Sequence, residues 1–203
     1  MTEHYFTNNP NLKPEIRQFE AELCGKRYRF KTDAGVFSKQ ELDEGSRLLI
    51  SVLPQGMEGT VLDLGCGYGP IGIVAADFVA PTGFVDMVDV NTRAVELANH
   101  NLEQNQIVNA KAFISEGFTA VQKKYNWILT NPPIRAGKQV IHQMVEDAYD
   151  FLLPAGRLVM VIRTKQGASS MASKLKLIFG QVETLKKNKG YRILQSIKTS
   201  HPE

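Results

Sequence analysis

Residues 61–69 restrict the possible folds more than any other part of this chain. An apolar run there leads into Asp63 and then into three alternating glycines, Gly65, Gly67 and Gly69. Glycine adopts left-handed backbone conformations and lets a ligand approach the main chain closely. An apolar strand that ends in such a turn is therefore typical of a nucleotide-binding site in a parallel sheet.

The spacing of these glycines favours one ligand over another. A dinucleotide-binding turn has the pattern G-x-G-x-x-G, and its third glycine would fall on Pro70. The alternating pattern suits S-adenosylmethionine better, because the carboxylate of Asp63 can hold the ammonium group of that cofactor.

Two further acids follow later strands. Asp89 closes the next predicted strand, about 20 residues after the turn, where an acid typically binds ribose hydroxyls. Glu116 comes just after the third strand and is predicted to meet the adenine amino group, together with the backbone of Gly117. A helix cap is the alternative for Asp89, and an ordinary exposed acid is the alternative for Glu116.

Short apolar strands alternate with helices after residue 60, which predicts a doubly wound, parallel α/β sheet. The strands are predicted at 61–64, 84–90, 111–115, 127–130 and 158–162. The helices are predicted at 71–78, from Asn91 or Thr92 onwards, at 140–152 and at 170–179. A turn at 187–190 then separates segments 182–186 and 191–197, which predicts a terminal hairpin with one antiparallel strand.

The N-terminal region differs in pattern from the rest. Segments 17–23 and 27–32 alternate polar and apolar residues and predict a hairpin, and Asp43 is predicted to cap a helix that runs to Leu53. At 203 residues and 43% hydrophobic, the chain suits one domain, residues 1–203. Residues 1–50 would form its hairpin and helix, and residues 51–203 its cofactor-binding core and terminal hairpin.

A second motif follows a later apolar strand, where residues 127–130 lead into Asn131, Pro132 and Pro133. The side-chain carbonyl of Asn131 and the main-chain carbonyl of Pro132 both accept hydrogen bonds, and the prolines hold the backbone rigid. Two such acceptors can bind the protons of an exocyclic amino group and aim its lone pair at a methyl donor, without a strong base. An isolated Asn-Pro turn is common in loops. In combination with the glycine turn, the motif predicts a catalytic site for methyl transfer to a planar nitrogen.

These residues resemble the small class I S-adenosylmethionine-dependent methyltransferases of the ribosomal RNA guanine-N2 type, which include the 16S rRNA small-subunit methyltransferase C-like enzymes. The chain looks most like their single-domain bacterial and archaeal relatives, from about Tyr5 to Lys198. The resemblance implies a Rossmann-like, seven-stranded, mostly parallel sheet with an antiparallel last strand, plus an N-terminal β-hairpin and helix. It also adds cofactor-site residues to those above, namely Phe37, Ser38, Val90 and Asn131.

The sequence departs from the family pattern in two ways, and both weaken the inference about the substrate more than the inference about the reaction. Many amino-methylating enzymes carry an aromatic residue after Asn-Pro-Pro, whereas this chain has Ile134. The guanidinium of the following Arg135 could stack on a base instead, and a solvated arginine is the equal alternative. The larger ribosomal enzymes also carry a second, degenerate methyltransferase domain, for which this length has no room. Ile134 and Arg135 are predicted as substrate-binding residues, and the family resemblance is weaker evidence for the substrate than for the reaction.

The charge pattern permits an RNA substrate without requiring one. The net charge is only +3, but eight Lys and Arg residues between positions 164 and 203 stand against two acids. A basic hairpin beside a base-sized pocket suits phosphate contacts, and a solvated basic face is the alternative interpretation. The predicted acceptor is guanine N2 of ribosomal or other structured RNA.

The cysteines, histidines and apolar stretches of the sequence argue against several other classes of protein, whereas some alternative functions stay open. Cys24 and Cys66 are far apart and the four histidines are scattered, so neither a disulfide framework nor a metal site is predicted. No apolar stretch reaches membrane-spanning length and no signal peptide is evident, which predicts a cytoplasmic protein without membrane contact. Methylation of a protein glutamine amide and a non-catalytic RNA- or ribosome-binding module remain alternatives, and a dehydrogenase is the weakest one. The oligomeric state is open.

Overall fold

The computed structural model describes residues 15–33, 42–132 and 137–199. The strands within these ranges are β1 (Ile16–Leu23), β2 (Lys26–Asp33), β3 (Thr60–Leu64), β4 (Phe84–Asp89), β5 (Ala110–Ile114), β6 (Tyr125–Thr130), β7 (Leu152–Arg163), β8 (Glu183–Asn188) and β9 (Tyr191–Ile197). The helices are α1 (Glu44–Ile50), α2 (Pro70–Phe78), α3 (Thr92–Gln104), α4 (Lys138–Phe151) and α5 (Ala168–Phe179).

Seven of these strands form one mixed sheet in the order β5-β4-β3-β6-β7-β9-β8. The five strands from β5 to β7 are mutually parallel, and β9 runs antiparallel to both β7 and β8. The antiparallel last strand is therefore inserted between two strands that point the other way. This confirms the predicted fold class, together with the N-terminal hairpin β1–β2, which forms a separate two-stranded sheet.

Apolar layers cover both faces of the large sheet. Helices α1, α2 and α3 and the hairpin pack on one face around residues such as Val61, Met87 and Val159. Helices α4 and α5 pack on the other face around Leu62, Ile128 and Leu158. Because successive side chains of a strand point to opposite faces, the continuous apolar runs of β3, β6 and β7 supply both cores at once.

Two asparagine side chains attach the N-terminal hairpin to α3. The amide of Asn101 accepts from the Lys31 N–H (2.7 Å) and donates to the Lys31 carbonyl (2.9 Å), as a neighbouring strand would. Asn105 makes the same pair of bonds with the backbone of Arg29, at 2.9 and 2.7 Å. Asn101 also donates to the carbonyl of Tyr68, at 2.9 Å, so the hairpin, α3 and the glycine turn share one hydrogen-bond network.

Several element boundaries differ from the sequence prediction. Helix α1 ends at Ile50 rather than Leu53. Strand β7 begins at Leu152, not at 158, because residues 153–156 form an irregular extension in which Ala155 adopts φ 61° and donates to the Lys198 carbonyl. The terminal turn is tighter than predicted, since Lys189 and Gly190 alone have positive φ between β8 and β9.

No helix within the described ranges has the length and apolar character needed to cross a lipid bilayer.

Candidate active site

The carboxyl ends of β3, β4, β5 and β6 meet at one edge of the sheet, because these strands are parallel neighbours. Asp63 lies near the end of β3, Asp89 ends β4, Glu116 follows β5, and Asn131 follows β6. Ligands in open α/β sheets bind at this edge. The structure thus brings together four polar residues that are separated by up to 68 positions in the sequence.

Asp63 is completely buried, and only one of its two carboxylate oxygens has a hydrogen-bond partner among the described residues. Its Oδ2 accepts from the Gly72 N–H at 2.8 Å, whereas Oδ1 has no hydrogen-bond partner among the described residues. Burial raises the pKa of this carboxyl to about 7; the Gly72 hydrogen bond opposes the shift and the nearby charge of Asp89 adds to it. A cationic group beside Oδ1 would supply the missing donor and favour the ionised form.

Gly72 contacts Asp63 at the candidate site and was not predicted from the sequence. A Cβ at this position would lie 3.0 Å from Asp63 Oδ2 and 2.6 Å from Met87 Cγ. A larger residue would therefore displace the Met87 side chain and crowd the Asp63 carboxylate. A glycine two residues into a helix that begins with proline is the signal that could have revealed this close approach.

The three turn glycines have different surroundings. All three have positive φ (73°, 56° and 95° at Gly65, Gly67 and Gly69). A Cβ at Gly65 or Gly67 would meet no atom of the described residues within 4 Å, so both border open space that a ligand can fill. A Cβ at Gly69 would lie 2.5 Å from Met87 Cε, which gives this glycine a packing reason at the start of α2. Cys66 is buried between them, and burial raises the pKa of its thiol.

Asp89 connects the glycine turn to the loop before α3. Its Oδ2 accepts from the Gly67 N–H and its Oδ1 from the Asn91 N–H, both at 2.9 Å. Burial raises the pKa of its carboxyl, and these hydrogen bonds oppose that shift. The cap of α3 is Asn91, one of the two residues predicted for it, since its side chain accepts from the Arg93 and Ala94 N–H groups. Asp89 is therefore not needed as a cap, and its oxygens retain lone pairs that can accept from ribose hydroxyls.

The loop after β5 is open to solvent. Glu116 and Gly117 are exposed, and Gly117 has φ 57°, with space around it that a Cβ would enter without meeting a described atom within 4 Å. The loop is held by Ser115, which donates to the Gly117 carbonyl at 2.8 Å and accepts from the Ala120 N–H at 3.1 Å. Val90, in the adjacent loop, is half-buried.

Asn131 lies directly after β6, whose end is fixed by a hydrogen bond from Thr130 Oγ1 to the Leu64 carbonyl (2.8 Å). The Asn131 Nδ2 donates to Asp43 Oδ1 at 3.1 Å and to Ser46 Oγ at 3.0 Å. Pro132 is buried beside it. The remaining predicted site residues, Phe37, Ser38, Pro133, Ile134 and Arg135, lie outside the described residues.

A cavity of about 300 Å³ opens next to Asn131 and Pro132. Its apolar lining includes Ile141 of α4 and Met171 of α5. Lys138, Arg163 and Lys165 also line it, as does Tyr191, whose hydroxyl accepts from Arg163 Nε at 2.9 Å. The sequence indicates cations near the terminal hairpin, but it does not show which residues of α4 and α5 line this cavity, since those helices meet β7 and β9 only in the folded chain.

Within the described residues, no group of three or more His, Cys, Asp or Glu side chains is arranged to hold a metal ion.

Comparison with known proteins identifies a family whose sequence model matches most of this chain. The sequence model described as "Methyltransferase small domain" matches residues 27–195. The chain is 46% identical over 202 residues to the uncharacterized protein YbxB of Bacillus subtilis strain 168, covering 98% of this chain and 100% of that protein. It is 29% identical over 192 residues to ribosomal RNA small subunit methyltransferase C of Aliivibrio salmonicida, covering 93% of this chain and 55% of that enzyme.

Among solved structures, the 16S rRNA N2 methyltransferase RsmC of T. thermophilus, in complex with AdoMet and guanosine, superposes with a TM-score of 0.81 at 31% identity. The match covers 90% of this chain and 50% of that one. The chain thus spans about half the length of the small subunit methyltransferases C that it matches.

Proposed function

The chain belongs to the methyltransferase small domain family, and from that premise we propose that it transfers the methyl group of S-adenosylmethionine to an exocyclic nitrogen, guanine N2 of structured RNA. The family confirms the predicted enzyme class. The T. thermophilus relative was solved with AdoMet, the cofactor that the glycine turn predicts, and with guanosine, which supports the nucleoside acceptor.

The residues at the sheet edge fit this cofactor. The Oδ1 of Asp63, which has no partner among the described residues, suits an ammonium group, and the open space at Gly65 and Gly67 gives a ligand access to the turn. Asp89, which shares a hydrogen bond with Gly67, would accept from ribose hydroxyls. Glu116 and Gly117, exposed beyond β5, would meet the adenine.

When bound, S-adenosylmethionine supplies a sulfonium methyl group, so that transfer breaks the S–CH₃ bond, forms an N–CH₃ bond and leaves S-adenosylhomocysteine. The chain's own contribution is to position the acceptor nitrogen. The Asn131 side-chain oxygen and the Pro132 carbonyl would accept hydrogen bonds from the amino group and direct its lone pair at the methyl carbon. One amino proton then leaves to solvent, because N-methylation makes it acidic.

The observation that carries the nucleic-acid proposal is the cavity beside Asn131. It is lined by Asn131 and Pro132, by apolar side chains that suit a planar base, and by three cationic side chains, Lys138, Arg163 and Lys165. Cations that line a base-sized cavity suit the phosphates that flank a nucleotide. A glutamine side chain in a protein would bring no phosphate charge to these cations. The amide acceptor is therefore the less favoured substrate.

The experiment that tests this proposal is methyl transfer to defined acceptors. The protein is incubated with methyl-labelled S-adenosylmethionine and RNA that lacks its native modifications, and the RNA is digested to nucleosides. Label in N2-methylguanosine supports the proposal. Label that stays with protein after ribonuclease treatment would replace it with the amide acceptor, and cofactor binding without label in any cellular fraction would favour a non-catalytic module.

A further inference from the structure

The orientation of the Asn131 amide is decided by residues from a distant part of the chain. Asp43 and Ser46 are separated from Asn131 by 88 and 85 positions, and both contact its Nδ2. A primary amide nitrogen carries two hydrogens, so these two contacts account for both of them. The Asn131 Oδ1, on the other side of the amide, is left to accept from the substrate.

The chemistry of Asp43 makes this orientation obligatory. An ionised carboxylate can only accept hydrogen bonds. If the Asn131 amide were rotated by 180°, its carbonyl oxygen would face Asp43 Oδ1 without a donor between them. Ser46 has no such preference, because a hydroxyl both donates and accepts. Asp43 therefore selects the orientation, and Ser46 supports it.

Asp43 itself is held in place by helix α1. It is the N-cap of that helix, and the same Oδ1 accepts from the Gly45 N–H (3.0 Å) and the Ser46 N–H (3.1 Å). A Cβ at Gly45 would lie 3.1 Å from Tyr191 Cε1 and 3.4 Å from Asn131 Nδ2, so this glycine permits the close approach of α1 to the site. The helix packs on β7 and β9, which fixes its position relative to β6.

We propose that Asp43 and Ser46 are positioning residues that hold the Asn131 amide with its carbonyl oxygen towards the acceptor nitrogen. This inference rests on the proposed function, since it assigns the freed oxygen to the acceptor amino group. An amide in the opposite orientation would present N–H groups to an amino group that itself donates. That arrangement would repel the substrate instead of aligning it.

Substitutions at Asp43 can separate this role from helix capping. Asp, Asn and Ser are about equally good N-caps, so a residue that only capped α1 would tolerate both replacements equally. Asp43→Asn keeps an accepting oxygen but loses the charge, whereas Asp43→Ser keeps the cap with a shorter hydroxyl. The inference predicts that kcat falls from wild type to Asp43→Asn to Asp43→Ser. A misplaced acceptor of this kind costs up to about 100-fold in rate.

The matched control is Glu44→Gln. It neutralises the neighbouring acid, whose partner is Lys189 Nζ at 2.8 Å and not Asn131. We expect kcat, the affinity for S-adenosylmethionine and the melting temperature to stay at wild-type values in this variant. The two Asp43 variants should likewise keep the cofactor affinity and show changes in kcat larger than those in KM.

A double-mutant cycle tests whether Asp43 acts through Asn131. In an Asn131→Ala background, Asp43→Ser should change the residual rate by less than about twofold, because the effects of coupled residues are not additive. Equal kcat in wild type, Asp43→Asn and Asp43→Ser, or a full additional loss from Asp43→Ser in the Asn131→Ala background, would overturn the inference.

A readout independent of turnover keeps this inference separate from the choice of acceptor. The side-chain NH₂ protons of Asn131, identified by their absence in Asn131→Ala, should exchange slowly with solvent in the wild-type NMR spectrum and faster in Asp43→Ser. Fast exchange in the wild type would overturn the inference even if RNA is methylated. Slow exchange that depends on Asp43, with no label in RNA, would overturn the guanine acceptor alone.

Discussion

At the scale of single residues, Asp63 combines complete burial with one oxygen that no described residue contacts through a hydrogen bond. Burial raises the pKa of its carboxyl from 3.8 to about 7. A folded-state pKa above the unfolded value means that the folded protein holds the proton more tightly. The associated stability is present below the unfolded pKa and is lost as the pH rises through about 7. The ligand-free protein therefore loses stability over the same pH range in which the Asp63 carboxyl ionises and can bind a cation.

We predict that Asp63→Asn weakens binding of S-adenosylmethionine and, at higher pH, raises the stability of the ligand-free protein relative to wild type. Loss of the charge-assisted hydrogen bond should weaken binding of S-adenosylmethionine by roughly 10- to 100-fold, measured by calorimetry. Without ligand, the melting temperature of the variant relative to wild type should improve as the pH is raised from about 5 to about 8. A constant difference across that interval would show that the Asp63 carboxyl does not titrate there.

At the scale of secondary-structure elements, the attachment of the β1–β2 hairpin depends on amide side chains of α3. Asn101 is fully buried and bonds both to the backbone of Lys31 and to the carbonyl of Tyr68 in the glycine turn. Removal of that side chain would take a partner from the buried Tyr68 carbonyl and from the partly buried Lys31 backbone groups, which is more costly than loss of an exposed hydrogen bond.

We predict that Asn101→Ala lowers the free energy of unfolding by about 2–4 kcal/mol. It removes a buried hydrogen bond to the Tyr68 carbonyl and two partly buried ones to the Lys31 backbone, and a buried group left unpaired costs about 1–3 kcal/mol. The Lys31 amide proton should also exchange faster. Glu103→Ala, an exposed position on the same helix, is the control and should change the stability by less than about 0.5 kcal/mol. Similar losses in both variants would mean that the amide pairing does not hold the hairpin.

Parts of this fold and site could be predicted from sequence because they depend on local patterns. The glycine turn and the residues after β4 and β6 follow apolar strands, and parallel strands bring their carboxyl ends to one edge of the sheet. The contact between Asp43 and Asn131 depends on where α1 packs, 88 positions away. The irregular start of β7 depends on its pairing with the segment after β9. Neither leaves a periodic signal in the sequence.

At the scale of the whole molecule, the proposed cofactor and acceptor sites border different groups of elements. The glycine turn and α2 with α3 border the predicted cofactor side, whereas α4, α5 and the end of β7 surround the cavity with its cationic side chains. Asn131 follows β6, between β3 and β7 in the sheet, and lines the cavity. Methyl donor and acceptor could therefore approach Asn131 from different directions.

We predict that Lys165→Ala weakens RNA binding and leaves the affinity for S-adenosylmethionine unchanged. If Lys165 contacts one phosphate, the slope of log K against log salt concentration should become shallower by about 0.7–0.9. Lys176→Ala removes an exposed cation of α5 that does not line the cavity, and it should leave that slope unchanged. Equal changes in both variants would indicate diffuse attraction to a basic surface.

The most direct test of the central claim compares two quantities in Asn131→Ala, the rate of methyl transfer and the affinity for S-adenosylmethionine. If Asn131 aligns the acceptor nitrogen, transfer should be lost, by at least about 100-fold, while calorimetry gives a cofactor affinity within a few fold of wild type. A parallel loss of transfer and cofactor affinity would contradict the account, because it would make Asn131 a structural residue of the sheet edge.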